Sequence, residues 1–297
     1  VEIYVNGFST SLPEDVQFRA MRKIPGFENV KMFRPGYAIE YDYFPPVQLK
    51  LSLETKLVDN LFFAGQINGT TGYEEAGCQG MIAGINAHQK LKDLDPLVLK
   101  RSEGYIGVLI DDLINKGTKE PYRMFTSRAE FRILLRQDNA DLRLTPISYK
   151  LGLAEEERYQ EVKQKEHHVQ EIKDHFKKES ISPDAINPFL EKQETAGLKQ
   201  KTKLFNLLLR PQIGIEALRK ELRLLNDFLE KYPKEYIEQA EISMKYDSYI
   251  SKEKEMVEKM NRLENIPISN AFDYNNLKAL SSEAREKLSD ARPQTLG

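Results

Sequence analysis

The spacing of apolar residues changes once along this chain, and that change constrains its fold more than any other feature. Up to about residue 95, the pattern mixes alternating, strand-like segments with helical ones. Beyond Asp95-Pro96, strand patterns become scarce and helical spacing dominates to the end. A chain of 297 residues is long enough to build two hydrophobic cores. We therefore expect an α+β unit over residues 1–95, followed by a mostly α-helical remainder.

The first part of the chain predicts strands around a short and a long helix. The short helix is opened by a capping-box spacing of Ser11 and Glu14 and continues to Ile24. The long helix runs from Tyr73 to about Leu91. The strands are expected at residues 30–33, 37–44 and 61–65. The last of these is an uninterrupted apolar run, which is typical of a strand buried on both faces of a sheet.

The second part predicts helices joined by short connections. One helix ends at Gly117, and the next is opened by a capping-box spacing of Ser127 and Glu130. A third has an apolar stripe from Tyr159 to Phe176 at helical spacing. The helices are expected at residues 103–116, 127–136, 155–179, 204–209, 215–222, 233–262 and 282–289. Residues 181–188 contain two prolines and are expected to be a connection.

Composition excludes several classes of protein. The formal net charge of −2 excludes a globally basic nucleic-acid binder, so any RNA site must be a local patch of Lys and Arg. The single cysteine, Cys78, is expected to be a small core residue. His167, His168 and His175 lack the i,i+4 spacing of a helical metal site and are expected on a solvated face. No apolar run approaches the roughly 20 residues of a membrane span, so we expect a soluble, cytoplasmic protein.

The segment between the third predicted strand and the long helix carries the strongest signal for a binding site. Residues 65–72 are rich in Gly, Thr and Asn, and such a loop points backbone N–H groups at a bound anion or cofactor. Its glycine spacing differs from the GxGxxG dinucleotide motif. Small residues on one face of the helix indicate that something packs closely there. They are Ala76, Gly80, Ala83, Gly84 and Ala87. The alternative is a helix seated tightly on a sheet without a ligand.

A second candidate site is a run of basic residues. Its members are Lys119, Arg123, Arg128, Arg132, Arg136 and Arg143. The arginines at 128, 132 and 136 recur at i,i+4 spacing and are expected to share one face of the predicted helix 127–136. Arginine suits an RNA backbone because its planar guanidinium donates two parallel hydrogen bonds to phosphate. The alternative is a set of salt bridges with Glu120, Glu130, Asp138 and Asp141.

The literal sequence of both candidate sites resembles one family. The segments are FFAGQINGTTGYEEA at 62–76, RPGYAIEYD at 34–42, GTKEPYRMFTSRAE at 117–130 and DNADLRLT at 138–145. They resemble the tRNA uridine 5-carboxymethylaminomethyl modification flavoprotein, also called glucose-inhibited division protein A. Asp273-Tyr274 and residues 293–297 resemble its C-terminal helical domain. The resemblance is specific at 34–146, loose across 155–235, and weak after Tyr246.

The resemblance implies an α+β fragment of an FAD-binding α/β domain, followed by a mostly α-helical C-terminal domain. Residues 1–95 would be the C-terminal part of the FAD-binding domain, 96–200 a helical region with an Arg-rich RNA-binding face, and 201–297 a partner-docking domain. The family's phosphate-binding Gly loop and its uridine-reactive cysteines have no counterpart in this sequence. We therefore expect a segment of a longer protein that holds no catalytic residue and is inactive alone.

By the same resemblance, the parent enzyme binds FAD, accepts hydride from NADH, and builds a carboxymethylaminomethyl-type group on C5 of the tRNA wobble uridine. The family glutamine that contacts FAD corresponds to Gln66. The positions along the flavin correspond to Asn68, Gly69, Thr70, Thr71, Gly72, Tyr73 and Glu74. Family arginines implicated in tRNA binding correspond most firmly to Arg123 and Arg132. The C-terminal domain is implied to dock a tRNA-modification GTPase and to contact tRNA, in a protein that is a homodimer at full length.

Two other hypotheses remain open. A non-enzymatic RNA-binding or scaffold module predicts that the full-length protein binds no flavin. An unrelated flavin oxidoreductase acting on a small molecule predicts no affinity for tRNA.

Overall fold

A computed structural model shows a chain whose regular structure is almost wholly helical. It describes residues 2–8, 10–38, 41–118, 120–264, 266–269, 271–293 and 295–296. The helices are α1 Glu14–Met21, α2 Tyr73–Leu91, α3 Tyr105–Lys116, α4 Ala140–Lys150, α5 Glu156–Lys178, α6 Pro183–Lys192, α7 Leu204–Leu208, α8 Ile215–Glu221, α9 Arg223–Leu229, α10 Lys234–Lys245, α11 Asp247–Glu264 and α12 Ser282–Ala291. Strands β1 Ser180–Ile181 and β2 Thr202–Lys203 pair antiparallel, with Ser180 opposite Lys203. No helix in the described part of the chain is long and apolar enough to cross a membrane.

The three strands expected before residue 95 do not form among the described residues. Residues 30–33 and the described part of 37–44 are not strands, and positions 39 and 40 lie outside the described residues. The apolar run at 61–65 has an isolated antiparallel bridge between Phe62 and Glu54. The run is hydrogen-bonded to residues 53–55 along one edge, through the N–H groups of Thr55 and Phe63. The prediction of a strand within a sheet was therefore wrong, although the side chains of the run do pack against the buried residues around α2 and α3.

The helices of the N-terminal part largely confirm the sequence analysis. α2 has the predicted bounds, and α3 ends where Gly117 adopts a positive φ of 65°. α1 begins without the expected capping box, because its N-cap residue is Pro13 and no side chain caps it. It ends at Met21, before the predicted Ile24. A small hydrophobic core lies between α2, α3 and the loop before α2. Its buried side chains are Leu49, Leu53, Ile82, Ala83, Ile110 and Ile114.

A larger core holds the C-terminal helices together. Its fully buried side chains include Ile172, Phe176, Ile186, Leu190, Leu207, Leu208 and Ile213. On α5, Lys165 is only 5% exposed and pairs with Asp141 of α4 at 2.9 Å and with Glu235 of α10. These ion pairs tie α4 and α10 to α5. The core begins at Val169 and reaches Met244, so it is continuous across residue 200.

Two α5 histidines pack against aromatic rings, which corrects the expected solvated face. His175 stacks on Phe228 with ring centroids 3.8 Å apart, and burial lowers the pKa of His175. His168 lies edge-on to Tyr232. His167 does face solvent, with its side chain 71% exposed. Within the described residues, no group of His, Cys, Asp and Glu could hold a metal ion.

The helix predicted at 127–136 is absent, and the glutamate expected to cap it has another partner. A single 3-10 turn, Thr126–Arg128, stands in its place and is followed by further turns. Glu130, which was expected to cap this helix, instead pairs with Arg101 at 2.6 Å. Its carboxylate is therefore unavailable to the N-terminus of a helix.

The other differences among the helices have local causes. The helix expected at 233–262 is divided at Tyr246 into α10 and α11. α4 and α6 were missed because they contain Pro146 and Pro188, residues that usually mark helix ends. α9, which follows α8 after Leu222, was also missed. The predictions for α5, α7, α8 and α12 are confirmed to within about two residues, the usual uncertainty of helix ends.

Candidate cofactor and RNA site

The glycine-rich loop, residues 65–74, is shaped by one glutamine of the following helix. It begins with a 3-10 turn, Gly65–Asn68, and Gly65 and Gly69 have positive φ angles of 84° and 78°. Gln79 of α2 is fully buried beneath it. Its Oε1 accepts hydrogen bonds from the Gly65 N–H at 3.0 Å and from Asn68 Nδ2 at 2.8 Å, and its Nε2 donates to Thr70 Oγ1 at 2.9 Å. Gln79 was not predicted as a site residue, although its spacing of three and four residues from Ile82 and Ala83 was an available signal.

The predicted cofactor-binding residues divide into an inner and an outer set. Asn68 and Thr70 are fully buried, so they hold the loop in shape, and Gly72 is also buried. Gly69 is partly buried, and a Cβ there would lie 2.7 Å from Thr118 Oγ1. The members that face outward are Gln66, Thr71, Tyr73 and Glu74. A ligand on this loop would therefore meet the outer set and the N-terminus of α2.

Glu75 is a buried carboxylate in the first turn of α2 that the sequence analysis did not assign. It is 5% exposed, and its Oε1 accepts a hydrogen bond from the Met124 N–H at 2.9 Å. Its Oε2 has no hydrogen-bond partner among the described residues. A Cβ on Gly72 would lie 1.7 Å from Oε2, so Gly72 is required because this carboxylate fills the space beside it.

The arginine segment, residues 120–136, runs along the glycine-rich loop. The Tyr122 N–H donates to the Gly69 carbonyl at 2.8 Å, and Thr70 and Tyr122 form a parallel bridge. Two residues after Tyr122, the Met124 N–H donates a hydrogen bond to the Glu75 side chain at the start of α2. The two candidate sites are therefore adjacent, although about 50 residues separate Thr70 from Tyr122 in sequence.

Three arginines of this segment are exposed. The Arg123 side chain is 52% exposed, with its Nε 3.8 Å from Glu75 Oε1. The Arg128 guanidinium lies 4.2 Å from the centre of the Tyr122 ring, and its Nε donates to the Arg123 carbonyl. Arg132 is exposed and has no ion-pair or hydrogen-bond partner among the residues that the structure describes. Lys119, the first predicted basic residue, lies outside the described residues.

Arg136 and Arg143 are engaged within the fold. Arg136 Nε pairs with Asp138 at 3.0 Å, as the salt-bridge alternative predicted, and its side chain is 17% exposed. Arg143 donates to the Asn139 side chain at 3.0 Å and to the carbonyls of Glu103 and Arg136. Burial, together with the charge of Arg136, lowers the pKa of Arg143. Because the helix at 127–136 is absent, the common face expected for the arginines at 128, 132 and 136 does not exist.

A partly buried ion cluster centred on Arg101 links the arginine segment to α3. The Arg101 guanidinium binds Asp111 at 2.7 Å, Asp112 at 2.8 Å and Glu130 at 2.6 Å. The Tyr122 hydroxyl donates to Asp112 at 2.9 Å. Burial alone would raise the pKa of Asp112, because it opposes ionisation. Hydrogen bonds from Lys116, Arg101 and Tyr122 outweigh burial, so the pKa of Asp112 is lowered. Arg101 lies between predicted elements, so nothing in the sequence pattern indicated its role.

Cys78 is a half-buried residue of α2, as expected. Its Sγ donates to the Glu75 carbonyl at 3.2 Å. Burial raises the pKa of the thiol to about 11, so it stays protonated at neutral pH. Since the thiolate is the reactive form, this geometry does not favour a nucleophile.

The small-residue face of α2 is largely open. A Cβ added at Gly80 or Gly84 would meet no atom within 4 Å. Among the described residues, the close packing expected at these two positions is therefore not found, whereas Ala83 on the adjoining side is buried.

Comparison with known protein families gives three matches along the chain. Residues 1–95 match the model of "Glucose inhibited division protein A". Residues 156–254 match the "tRNA modifying enzyme MnmG/GidA C-terminal helical domain", and residues 256–297 match its "C-terminal helical bundle".

The chain belongs to the GidA/MnmG family.

Proteins of this family from two bacteria match the chain over its whole length. The relative from Cytophaga hutchinsonii is 62% identical and that from Christiangramia forsetii 59% identical, and both are named "tRNA uridine 5-carboxymethylaminomethyl modification enzyme MnmG". The chain covers 48% of each, so it spans about half the length of these GidA/MnmG relatives.

Solved GidA structures share the fold. Aquifex aeolicus GidA in crystal form II is 42% identical, with a TM-score of 0.71 over 97% of this chain and 45% of its own. Crystal form I gives a TM-score of 0.68. The expected order of a GidA segment followed by helical domains is therefore confirmed.

Proposed function

We propose that this chain is part of an FAD-dependent enzyme that adds a carboxymethylaminomethyl-type group to C5 of the wobble uridine of tRNA. The observation that carries the proposal is the pairing of the glycine-rich loop with the arginine segment, through the Tyr122 N–H and the Gly69 carbonyl at 2.8 Å. It sets a surface suited to a cofactor beside a surface suited to RNA phosphate. The names of the relatives, at about 60% identity over the whole chain, support this reaction.

The chemistry of the loop fits an isoalloxazine edge. Gly72 caps α2 without a side chain, so no side chain competes for the N–H groups of the first turn. These donors, with the outward Gln66 and Thr71, would hold the ring edge, and Tyr73 and Glu74 would border it. Asn68, Gly69 and Thr70 would hold the loop beneath it. When bound, FAD would supply hydride chemistry, with NADH as its reductant. The positive end of α2 would stabilise negative charge beside it.

RNA would bind along the exposed part of the arginine segment. Arg123, Arg128 and Arg132 offer guanidinium groups to phosphate, and Lys119 would extend this surface. Arg136 and Arg143 would act mainly by shaping the segment from within, because their donors already have acceptors. The chain holds no proposed catalytic residue and would be inactive alone.

The C-terminal helices would serve as the docking domain. The FAD-binding part would end at residue 95 and the helical RNA-binding part at residue 200. The GTPase partner would bind residues 201–297. α11 supports this role, because no residue of it is buried and Tyr249 and Met256 are more than half exposed. The complete protein would be a cytoplasmic homodimer.

Flavin binding by the complete protein tests the proposal against a non-enzymatic RNA-binding module. We expect purified protein to show flavin absorbance, and Gln66→Ala to weaken FAD binding without changing thermal stability, because Gln66 is exposed. Gln200→Ala, at another exposed glutamine, is the matched control. A colourless protein that binds tRNA but takes up no FAD would favour the scaffold module instead.

A further inference from the structure

Arg123 lies between two anchored residues. On one side, the Tyr122 N–H is bonded to the Gly69 carbonyl of the glycine-rich loop at 2.8 Å. On the other side, the Met124 N–H is bonded to Glu75 Oε1 at 2.9 Å. The backbone that carries the proposed RNA-binding arginine is therefore attached to the proposed flavin loop before and after that arginine.

Glu75 supplies the second anchor from a position that only a glycine neighbour permits. Its carboxylate fills the space beside Gly72, 1.7 Å from where a Cβ would lie, and is 5% exposed. It thus touches the N-cap residue of α2 and the arginine segment at once. Because this carboxylate lies against Gly72, the position of Gly72 is linked to that of Glu75, and through the hydrogen bond of Glu75 to Met124.

The hydrogen bond to Met124, rather than the ion pair with Arg123, is the stronger link. The pair with Arg123 spans 3.8 Å and involves a half-exposed side chain, so solvent screens it. The Met124 bond joins a backbone N–H to a buried charged acceptor, the kind of bond that contributes most. Removing the carboxylate would also leave that N–H without its partner.

We propose that Glu75 is a positioning residue that couples flavin binding at the glycine-rich loop to RNA binding at Arg123. This inference rests on the proposed function. A flavin bound against Gly72 and the first turn of α2 favours the arrangement in which Gly69 holds Tyr122 and Glu75 holds Met124, so RNA meets an arginine whose backbone is already in place. A ligand that favours one arrangement raises the affinity of a second ligand for that same arrangement, which is positive cooperativity. Thermodynamic linkage requires RNA to tighten flavin binding by the same factor.

The test is a set of four affinities measured on the complete protein: FAD with and without saturating tRNA, and tRNA with and without saturating FAD. For the native protein, each ligand should tighten the other by about fivefold or more. In Glu75→Ala both ligands should still bind, but the enhancement should fall to nearly onefold. Glu75→Gln keeps an oxygen that can accept from the Met124 N–H and should retain most of the enhancement. A merely destabilising role of Glu75 would not give this rescue.

Glu120→Gln is the matched control, since it removes a carboxylate three residues from Arg123 that has no partner among the described residues. It should leave the enhancement unchanged. Independent binding of the two ligands to the native protein, or an unchanged enhancement in Glu75→Ala, would overturn the coupling alone. A native protein that binds neither FAD nor tRNA would overturn the proposed function together with it.

Discussion

At the scale of single residues, Gly72 has no space for a side chain in the observed position of Glu75. Its φ of −84° is accessible to any residue, so the constraint is space and not backbone conformation. Gly72→Ala would push its methyl group into the Glu75 carboxylate. We expect this variant to lose about 1–3 kcal/mol of stability, the usual cost of overpacking.

Gly77→Ala on the same helix is the contrasting variant for urea unfolding of the chain. A Cβ there would meet nothing within 4 Å, and the helix should gain about 0.8–1 kcal/mol. Equal effects of the two substitutions would show that the space beside Gly72 is not occupied as described.

Glu54 gives the fold a dependence on acid pH. Hydrogen bonds from Lys90 first, then from the Asn60 N–H and Lys50, lower the pKa of Glu54 from 4.5 to about 2. A lowered pKa contributes stability that is fully present above pH 4.5 and is lost as the pH falls through about 2. Thermal unfolding midpoints should therefore drop over this range more steeply in the native chain than in Glu54→Gln. Parallel curves would show that the ion pairs of Glu54 do not persist in solution.

At the scale of elements, helices whose ends carry a local signal were predictable, and those that depend on distant partners were not. The bounds of α2 and the end of α3 at Gly117 follow from local spacing and a glycine stop. The helix predicted at 127–136 does not form, and Glu130, its expected cap, pairs with Arg101, a residue 29 positions away. Pairing across that distance leaves no trace in periodicity. The prolines inside α4 and α6 predicted helix ends that do not occur, because tertiary packing outweighs the local preference there.

The Arg101 cluster should hold the arginine segment in place. Arg101→Leu would remove one of the cations that bind Asp112, which is 2% exposed, while Lys116 and the Tyr122 hydroxyl remain. The loss of hydrogen bonds between charged groups is worth about 1.5–3 kcal/mol. tRNA affinity should fall too, because the segment loses its attachment to α3. In urea unfolding, Arg19→Leu at an exposed pair should change stability by no more than about 0.5 kcal/mol. Similar midpoints for the two variants would contradict a supporting role for Arg101.

At the scale of the whole molecule, the sequence indicated both candidate sites but not their relation. The loop and the basic run were found from composition, spacing and family resemblance. Their adjacency depends on one backbone hydrogen bond, from the Tyr122 N–H to the Gly69 carbonyl, and on the bond from the Met124 N–H to the Glu75 carboxylate. These bonds join segments about 50 residues apart, and no sequence pattern indicated the role of Glu75. The pairing of Arg136 with Asp138 was one of the alternatives that the sequence offered, whereas the bond from Arg143 to the Glu103 carbonyl depends on tertiary folding.

The most direct test of an RNA surface beside the loop is tRNA binding by the complete protein across a salt series. Arg123→Glu and Arg132→Glu would be compared with native protein and with Arg223→Glu, an arginine that is 94% exposed on α9. We predict weaker tRNA binding by Arg123→Glu and Arg132→Glu, and native-like binding by Arg223→Glu. In the first two variants, the slope of log K against log salt concentration should become shallower by about 0.7–0.9 for each lost phosphate contact. Equal affinities and slopes for all four proteins would contradict an RNA surface on the arginine segment.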